Sequence, residues 1–323
     1  MVTLIDVAKK AGVSPSTVSR YIRTPHVVSK EKAEIIQKTI NELGYSPNLG
    51  ASLLKSNTAN LVGLVIPNTY NYLFMTIINQ LTNRLKAENK NLIVLYSTDF
   101  AEVKKCIKTL ISLQCKSIIY IPEKASKTID TYTKNNGIYS LQLFIDAMEQ
   151  DDAIIIDDIQ GAYIATKNLI KAGHKDIVLV DGDNEVFRKR KEGMKKAFLD
   201  SGIIFDEDRH LCPLTENIDV VRRVRKHLYN HETTALIAVT EGIAQQVCLA
   251  LQQIGKSIPD DISLVVYDDS QWAQLSNYSA IGHPINELID NITNLLHLRN
   301  DDEKINKIVI PPIFIKRGSI KEI

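Results

Sequence analysis

The sequence predicts an α/β chain made of a small all-α head and a two-lobed body, and three observations carry that reading. The first fifty residues hold short apolar stripes at helical spacing, punctuated by cap residues. From Leu61 onward, short β-branched runs alternate with helical stretches, the pattern of parallel sheets covered by helices on both faces. Finally, 323 residues exceed what one hydrophobic core organises, whereas a head and two lobes match ordinary domain sizes.

In the head, Thr3-Leu-Ile-Asp-Val-Ala-Lys-Lys-Ala-Gly-Val-Ser-Pro-Ser-Thr-Val-Ser-Arg20 reads as two short helices joined by a tight turn. Leu4, Ile5, Ala8 and Ala11 are expected to form the buried stripe of the first helix. Thr3, with Asp6 three positions on, is a capping-box-like start, and Gly12 supplies a left-handed stop. Ser14 is expected to cap the second helix, with Pro15 at its first position, where a missing N–H costs nothing. Val18 should then point inward and leave Ser16, Thr17, Ser19 and Arg20 outside. A helix-turn-helix lays its second helix in the DNA major groove, N-terminal residues first. The spacing therefore points to a DNA-reading head. Val28-Ser29 opens a third helix, with Ser29 expected as its cap, running to Leu43 and stopped by Gly44.

Between head and body, residues 48–56 make a poor isolated helix because of Gly50. The body begins with strands expected over 61–66, 92–96, 117–121 and 140–144, separated by helices over 73–88, 102–113 and 124–135. A second series follows: a strand at 153–156, a helix to 172, a strand at 177–180 and a helix from 187 to 201. Helices at 220–228 and 241–254 then flank strands at 235–239 and 262–267. Two such series imply two similar lobes.

Hydrophobic content of 44% with 24% charged residues is ordinary for a globular protein, so composition does not mark the chain as disordered or fibrous. The net charge of +1 hides an asymmetry. Residues 1–60 carry eight Lys/Arg against four acids, a surplus of +4 that leaves −3 for the rest. A basic module on a nearly neutral body suits phosphate binding at one end. No apolar run approaches the ~18 residues of a membrane span, and the N-terminus has no apolar signal core, so a cytoplasmic protein is expected. Cys106, Cys115, Cys212 and Cys248 show no Cys-x-x-Cys spacing, and the histidines are scattered. Reduced thiols, no metal and no cofactor are therefore expected. With neither a nucleophile elbow nor a phosphate loop, an enzyme is not expected either.

The order of these parts resembles the lactose/galactose-repressor (LacI/GalR) family of bacterial transcription regulators. The likeness rests on the two opening helices, the Val28-Ser29 helix ending at Gly44, then Tyr45-Ser-Pro-Asn48, Ala51-Ser-Leu-Leu54 and the strand Leu61-Val-Gly-Leu-Val-Ile-Pro67. It extends over essentially the whole chain. It implies an all-α helix-turn-helix head at 1–46, a hinge at 47–60 and a type-I periplasmic-binding-protein-like body. The first lobe would span 61–157 with about 284–306, and the second 158–283 with about 307–323. The chain would thus cross between lobes near Asp157, near His283-Pro284 and near Asn306.

The resemblance also implies roles. Pro15, Ser16 and Arg20 would face base edges, where Arg can grip guanine in a bidentate way. Thr3, Ser14, Thr17, Ser19, Ser29 and Asn48 would position phosphates. Leu54 would wedge into the minor groove as the hinge becomes helical on operator DNA. In an interlobe cleft, Arg190 of the Arg-x-x-Gly at 190–193 would grip an effector, while Asp268 and Asp146 would accept from its hydroxyl groups. Asn71, Phe74, Thr240 and His283 would complete the pocket, with Phe74 as an apolar wall. The partners implied are double-stranded operator DNA, a sugar-like effector and a second copy of the chain, in a nucleoid-associated repressor of carbohydrate-utilisation genes. Control by a phosphocarrier protein or a non-sugar co-repressor is the alternative within the family, and a solute-binding protein is the alternative outside it. Departures from the family pattern stand at Thr240-Glu241 (usually Asn-Asp), Val266 (Gly), His283 (Gln) and Leu214 (an aromatic), and Val266 is expected to narrow the cleft.

Overall fold

The computed structural model describes residues 2–45, 60–67, 71–122, 125–182, 185–214, 219–298 and 305–323. The chain divides into a head, up to residue 59, and a body from Asn60 onward.

Among the described residues, three α-helices make the head: α1 (Leu4–Ala11), α2 (Pro15–Arg23) and α3 (Lys30–Leu43). The Thr3 hydroxyl accepts from the Asp6 amide while the Asp6 carboxylate accepts from the Thr3 amide at 2.8 Å, a complete capping box. Gly12 ends α1 in the left-handed region at φ 66°, which costs an L side chain but not glycine. Val7, Ala8, Val18 and Ile36 form the core, with Leu4, Ala11, Tyr21, Ile40 and Leu43 packed around it. One expectation is corrected here: Ile5 is 65% exposed and Val7 is fully buried in its stead. The inward stripe is Leu4, Val7, Ala8 and Ala11, which follows the three-and-four spacing; Ile5 lies about 100° around the helix from Leu4. Tyr21 donates to Gln37 Oε1 at 2.7 Å and ties α2 to α3.

The body carries two six-stranded sheets. The first contains β1 (Leu61–Pro67), β2 (Asn91–Ser97), β3 (Ser117–Tyr120), β4 (Tyr139–Leu143), β5 (Asp152–Ile156) and β11 (Lys307–Ile310), in the order β11-β5-β4-β3-β1-β2. All of its pairings are parallel. Helices α4 (Tyr72–Ala87), α5 (Phe100–Ser112), α6 (Lys127–Asn135) and α13 (Ile285–Leu298) belong to this lobe. Because both faces are covered, β1 reads as an unbroken apolar run, with Val62, Leu64, Val65 and Ile66 all buried.

The second sheet has β6 (Ile177–Gly182), β7 (Leu211–Leu214), β8 (Ala235–Ala238), β9 (Ser263–Tyr267), β10 (Ser279–Gly282) and β12 (Ile313–Ile315), in the order β12-β10-β9-β8-β6-β7. Only β12 runs antiparallel to its neighbour. Around this sheet lie α7 (Asp158–Lys171), α8 (Glu185–Leu199), the single turn α9 (Glu207–His210), α10 (Val220–Asn230), α11 (Glu241–Gln253) and the short α12 (Gln271–Leu275). Neither β7, with a proline at its third residue, nor the short elements α9, α12, β10, β11 and β12 is assigned by periodicity.

The chain passes between the sheets after Ile156, after Gly282 and after Ile310. The third passage therefore differs from the expectation near Asn306. Lys307–Ile310 stays in the first sheet, paired in parallel with Ala153–Ile156, and the change of lobe falls at Pro311-Pro312. Two residues without N–H groups cannot extend a ladder, so the strand ends there.

Three histidines are buried in the second lobe. His174 sits between Thr234 Oγ1 (2.9 Å) and the Lys321 carbonyl (3.0 Å), and His227 Nε2 meets the Arg209 carbonyl at 3.0 Å. His210 accepts from the Asp206 amide and packs on Phe198. Burial lowers the pKa of all three, with the Arg209 charge adding to the shift at His210 and the His231 charge at His227. Groups held neutral in the folded state take up protons more readily once unfolded. Stability from this source is thus complete above the unfolded histidine pKa of about 6.5 and drains away as pH falls below it. Urea midpoints for the body should decline between pH 7 and pH 5. His174→Gln should flatten that slope, and an equal slope in parent and variant would show that His174 does not contribute.

Candidate functional site

In the head, the N-terminal turn of α2 gathers hydroxyl groups. Ser14 Oγ accepts from the Thr17 amide at 3.2 Å and lies 2.8 Å from both Ser16 Oγ and Thr17 Oγ1. Val18, fully buried, anchors the helix, while Pro15, Ser16 and Arg20 are exposed and Thr17 and Ser19 half-buried. Amide groups and hydroxyls at a helix start form a surface suited to anionic oxygens. Thr3 presents the same chemistry at the start of α1. Ser29 stands at the N-cap position of α3, but its side chain makes no cap hydrogen bond, contrary to its expected capping role. Its carbonyl accepts from Ala33 instead. Asn48, Leu54 and the expected hinge around them lie outside the described residues.

In the body, a cavity of about 180 Å³ lies between the lobes. The first lobe contributes Tyr72, Leu73 and Thr76 from the start of α4, and Ile285 from the start of α13. The second lobe contributes Asp268 and Asp269 after β9, Gly282 and His283 after β10, and Ile313 and Ile315 of β12. Asp268 is buried at φ 69°, a left-handed conformation that aspartate tolerates better than most residues, and its amide donates to the Ile281 carbonyl. Its Oδ1 is 3.1 Å from His283 Nε2, and each side chain is only 6% exposed. His283 Nδ1 is buried without a hydrogen-bond partner. Asp269 pairs with Arg317 at 2.6 Å, and Arg317 also donates to the Tyr278 carbonyl.

Arg190 does not line this cavity and is held by the protein itself. Its Nε donates to Asp158 Oδ1 at 2.9 Å, and its guanidinium lies 4.1 Å from the centre of the Tyr267 ring. A longer contact reaches the Val239 carbonyl. Gly193 makes the arrangement possible: a Cβ there would collide with the Ile159 carbonyl of α7, so only glycine lets α8 approach this closely. The Arg-x-x-Gly spacing thus brings the guanidinium onto Asp158, the first residue of α7.

Of the residues expected in the pocket, only Asp268 and His283 line the cavity. Asn71 caps α4 by accepting from the Leu73 amide, and Thr240 caps α11 by accepting from the Ile243 amide. Phe74 packs against Phe144 at the margin of the first-lobe core, so Leu73, Ile285, Ile313 and Ile315 form the apolar wall instead. Asp146 turns to Lys307 Nζ, 2.5 Å away. Val266 and Leu214 belong to the second-lobe core and do not narrow the cavity. Sequence reasoning did not single out Asp158, Tyr267 or Arg317. Asp157-Asp158 carried the acidic signal of a helix start, whereas Arg317 reaches Asp269 only through the tertiary fold. Among the described residues, no cluster of metal-ligating side chains occurs and no helix is long and apolar enough to cross a membrane.

Comparison with known proteins agrees with this architecture. Residues 3–48 match the family model of bacterial regulatory proteins, lacI family, and residues 166–320 match a periplasmic binding protein-like domain. The HTH-type transcriptional regulator DegA of Bacillus subtilis is 26% identical over 98% of this chain and 97% of its own. The HTH-type transcriptional repressor PurR of Haemophilus influenzae is 27% identical, with both chains fully covered. Among solved structures, the Lac repressor dimer bound to operator and the anti-inducer ONPF superposes with a TM-score of 0.79 at 21% identity, covering 99% of each chain. The CelR–cellobiose complex gives 0.70 at 22% identity, covering 99% of this chain and 100% of that one. A LacI family regulator from Enterococcus faecium with bound ribose gives 0.71 at 24%, covering 81% and 99%.

The Arg190–Asp158 pair yields a test. Arg190→Ala would strand a buried carboxylate and should cost roughly 3–5 kcal/mol of body stability. Arg188 is exposed, so Arg188→Ala should stay within about 0.5 kcal/mol of the parent. Denaturant titration of both variants measures the difference, and equal losses would show that Asp158 does not depend on Arg190.

Proposed function

Since the chain belongs to the LacI family of bacterial regulatory proteins and is a DNA-binding transcriptional regulator, we propose that it is a homodimeric repressor whose operator affinity is set by a small molecule in the interlobe cavity. In this reading α2 enters the major groove. Arg20 and Ser16 meet base edges, Pro15 adds apolar contact, and Thr3, Ser14, Thr17, Ser19 and Ser29 position phosphates, joined by Asn48. The observation that carries it is the split on α2: Val18 is fully buried while Pro15, Ser16 and Arg20 face outward beside the Ser14 hydroxyl cluster. Leu54 is assigned the minor-groove wedge by resemblance alone.

For control, the supporting features are the two carboxylates and the imidazole that the second lobe presents to the cavity, facing Tyr72, Leu73, Thr76 and Ile285 of the first lobe. A ligand there acts only through a difference in affinity between lobe arrangements. A carbohydrate is the favoured effector class, in keeping with the ribose and cellobiose in two structural neighbours. Genes of carbohydrate utilisation would then be the targets. A phosphocarrier protein docking on the first lobe is the other route of control. It would appear as a change in operator affinity that depends on the added protein and is insensitive to cavity substitutions.

Selection of binding sites from random duplex DNA supplies the operator for a direct test. Affinity for it should fall steeply with salt, as Lys and Arg contacts release condensed counterions. Arg20→Ala should lower specific binding by about 1–3 kcal/mol more than non-specific binding. Equal losses on both DNAs would reduce Arg20 to a phosphate contact. Leu54→Ala should weaken operator binding and reduce DNA bending, and an unaltered bend angle would remove the wedge assignment.

A further inference from the structure

The cavity's chemistry is one-sided. Its charged lining groups among the described residues are carboxylates, Asp268 and Asp269. Two arginines of the same lobe are already committed: Arg190 to Asp158 and the Tyr267 ring, Arg317 to Asp269 and the Tyr278 carbonyl. His283 Nε2 lies 3.1 Å from Asp268 Oδ1 and Nδ1 is buried without a partner; in the neutral ring that carries its proton on Nε2, toward the carboxylate, Nδ1 is an acceptor. A buried acceptor left unpaired is costly, and a ligand that donates a hydrogen bond to it removes the cost. The volume also limits what fits. About 180 Å³ is well below the ~300 Å³ at which pockets for drug-sized ligands begin.

We infer that the cavity selects a small molecule that offers hydrogen-bond donors, a neutral polyol or an amine-bearing one of monosaccharide size, with His283 as a specificity-determining acceptor, and that it excludes phosphorylated and carboxylated analogues. This rests on the reading of the cavity as the effector site. An anionic group would meet Asp268 and Asp269, and the described lining residues include no Lys or Arg to compensate; like charges brought together in a partly desolvated site repel strongly. A hydroxyl or ammonium group is received by the same oxygens and by Nδ1. Leu73, Ile285, Ile313 and Ile315 cover the apolar face of such a ligand.

Thermal-shift and calorimetric titration of the full chain tests this with paired probes: D-ribose against ribose 5-phosphate, D-glucose against glucose 6-phosphate, and D-glucosamine and inorganic phosphate alone. At least one unphosphorylated probe should bind saturably, and its phosphorylated partner should bind at least about tenfold more weakly. His283→Phe should weaken the bound probe by about tenfold or more, while His283→Gln, which keeps a side-chain acceptor, should retain binding. A phosphorylated probe that binds more tightly than its parent sugar would overturn the inference and leave the cavity as an effector site. Unchanged affinity in His283→Phe, with the variant folded by its melting transition, would overturn the role of His283. If no probe of either kind binds and none alters operator affinity, the effector-site reading fails, and the inference with it.

Discussion

The architecture of the body turns on the contact between α7 and α8. Gly193 allows the two backbones to approach, and the approach sets Arg190 on Asp158 under the cover of the Tyr267 ring. Removing two charges from water is expensive, so the pair adds little net stability over an apolar packing. Its effect is geometric. Tyr267 is the last residue of β9, and the next residues in the chain are the two aspartates that face the cavity. A fixed ring therefore positions a fixed pair of carboxylates. The helix pair and the cavity floor are one construction.

What the sequence made legible was local chemistry. Thr3, Gly12, Ser14 and Pro15 act on neighbours within four residues, and each takes the place that its cap or turn chemistry dictates. Alternation of strand and helix was equally plain in the body, because central strands such as β1 and β8 are covered on both faces and read as apolar runs. The buried stripe of α1 was less so. Ile5 and Val7 are both apolar and two residues apart, and only packing against Val18 and Ile36 decides which turns inward.

Non-local partners were illegible for a related reason. Lys307–Ile310 is too short to be assigned from its own residues, and nothing in them says that it lies beside β5 rather than in the second sheet. Asp146 has the chemistry of a ligand carboxylate and meets Lys307, 161 residues away in sequence. The resemblance nominated Arg190 from the Arg-x-x-Gly spacing and could not reveal that Asp158 accepts from its guanidinium. Pocket residues nominated by register can also be helix caps, as Asn71 and Thr240 are, since cap and ligand contacts use the same side-chain oxygens.

The late position of β11 in the chain has a consequence for synthesis. A ribosome releases β1 to β5 first, then nearly all of the second lobe, and only afterwards the strand that completes the first sheet. Until residue 310 has emerged, β5 presents an open edge to solvent or to any other nascent copy, the kind of edge that templates aggregation. Neither lobe can finish before the other has begun. Premature termination anywhere before the Pro311-Pro312 passage would leave two incomplete sheets, so translation errors late in the message should be as damaging to this protein as early ones.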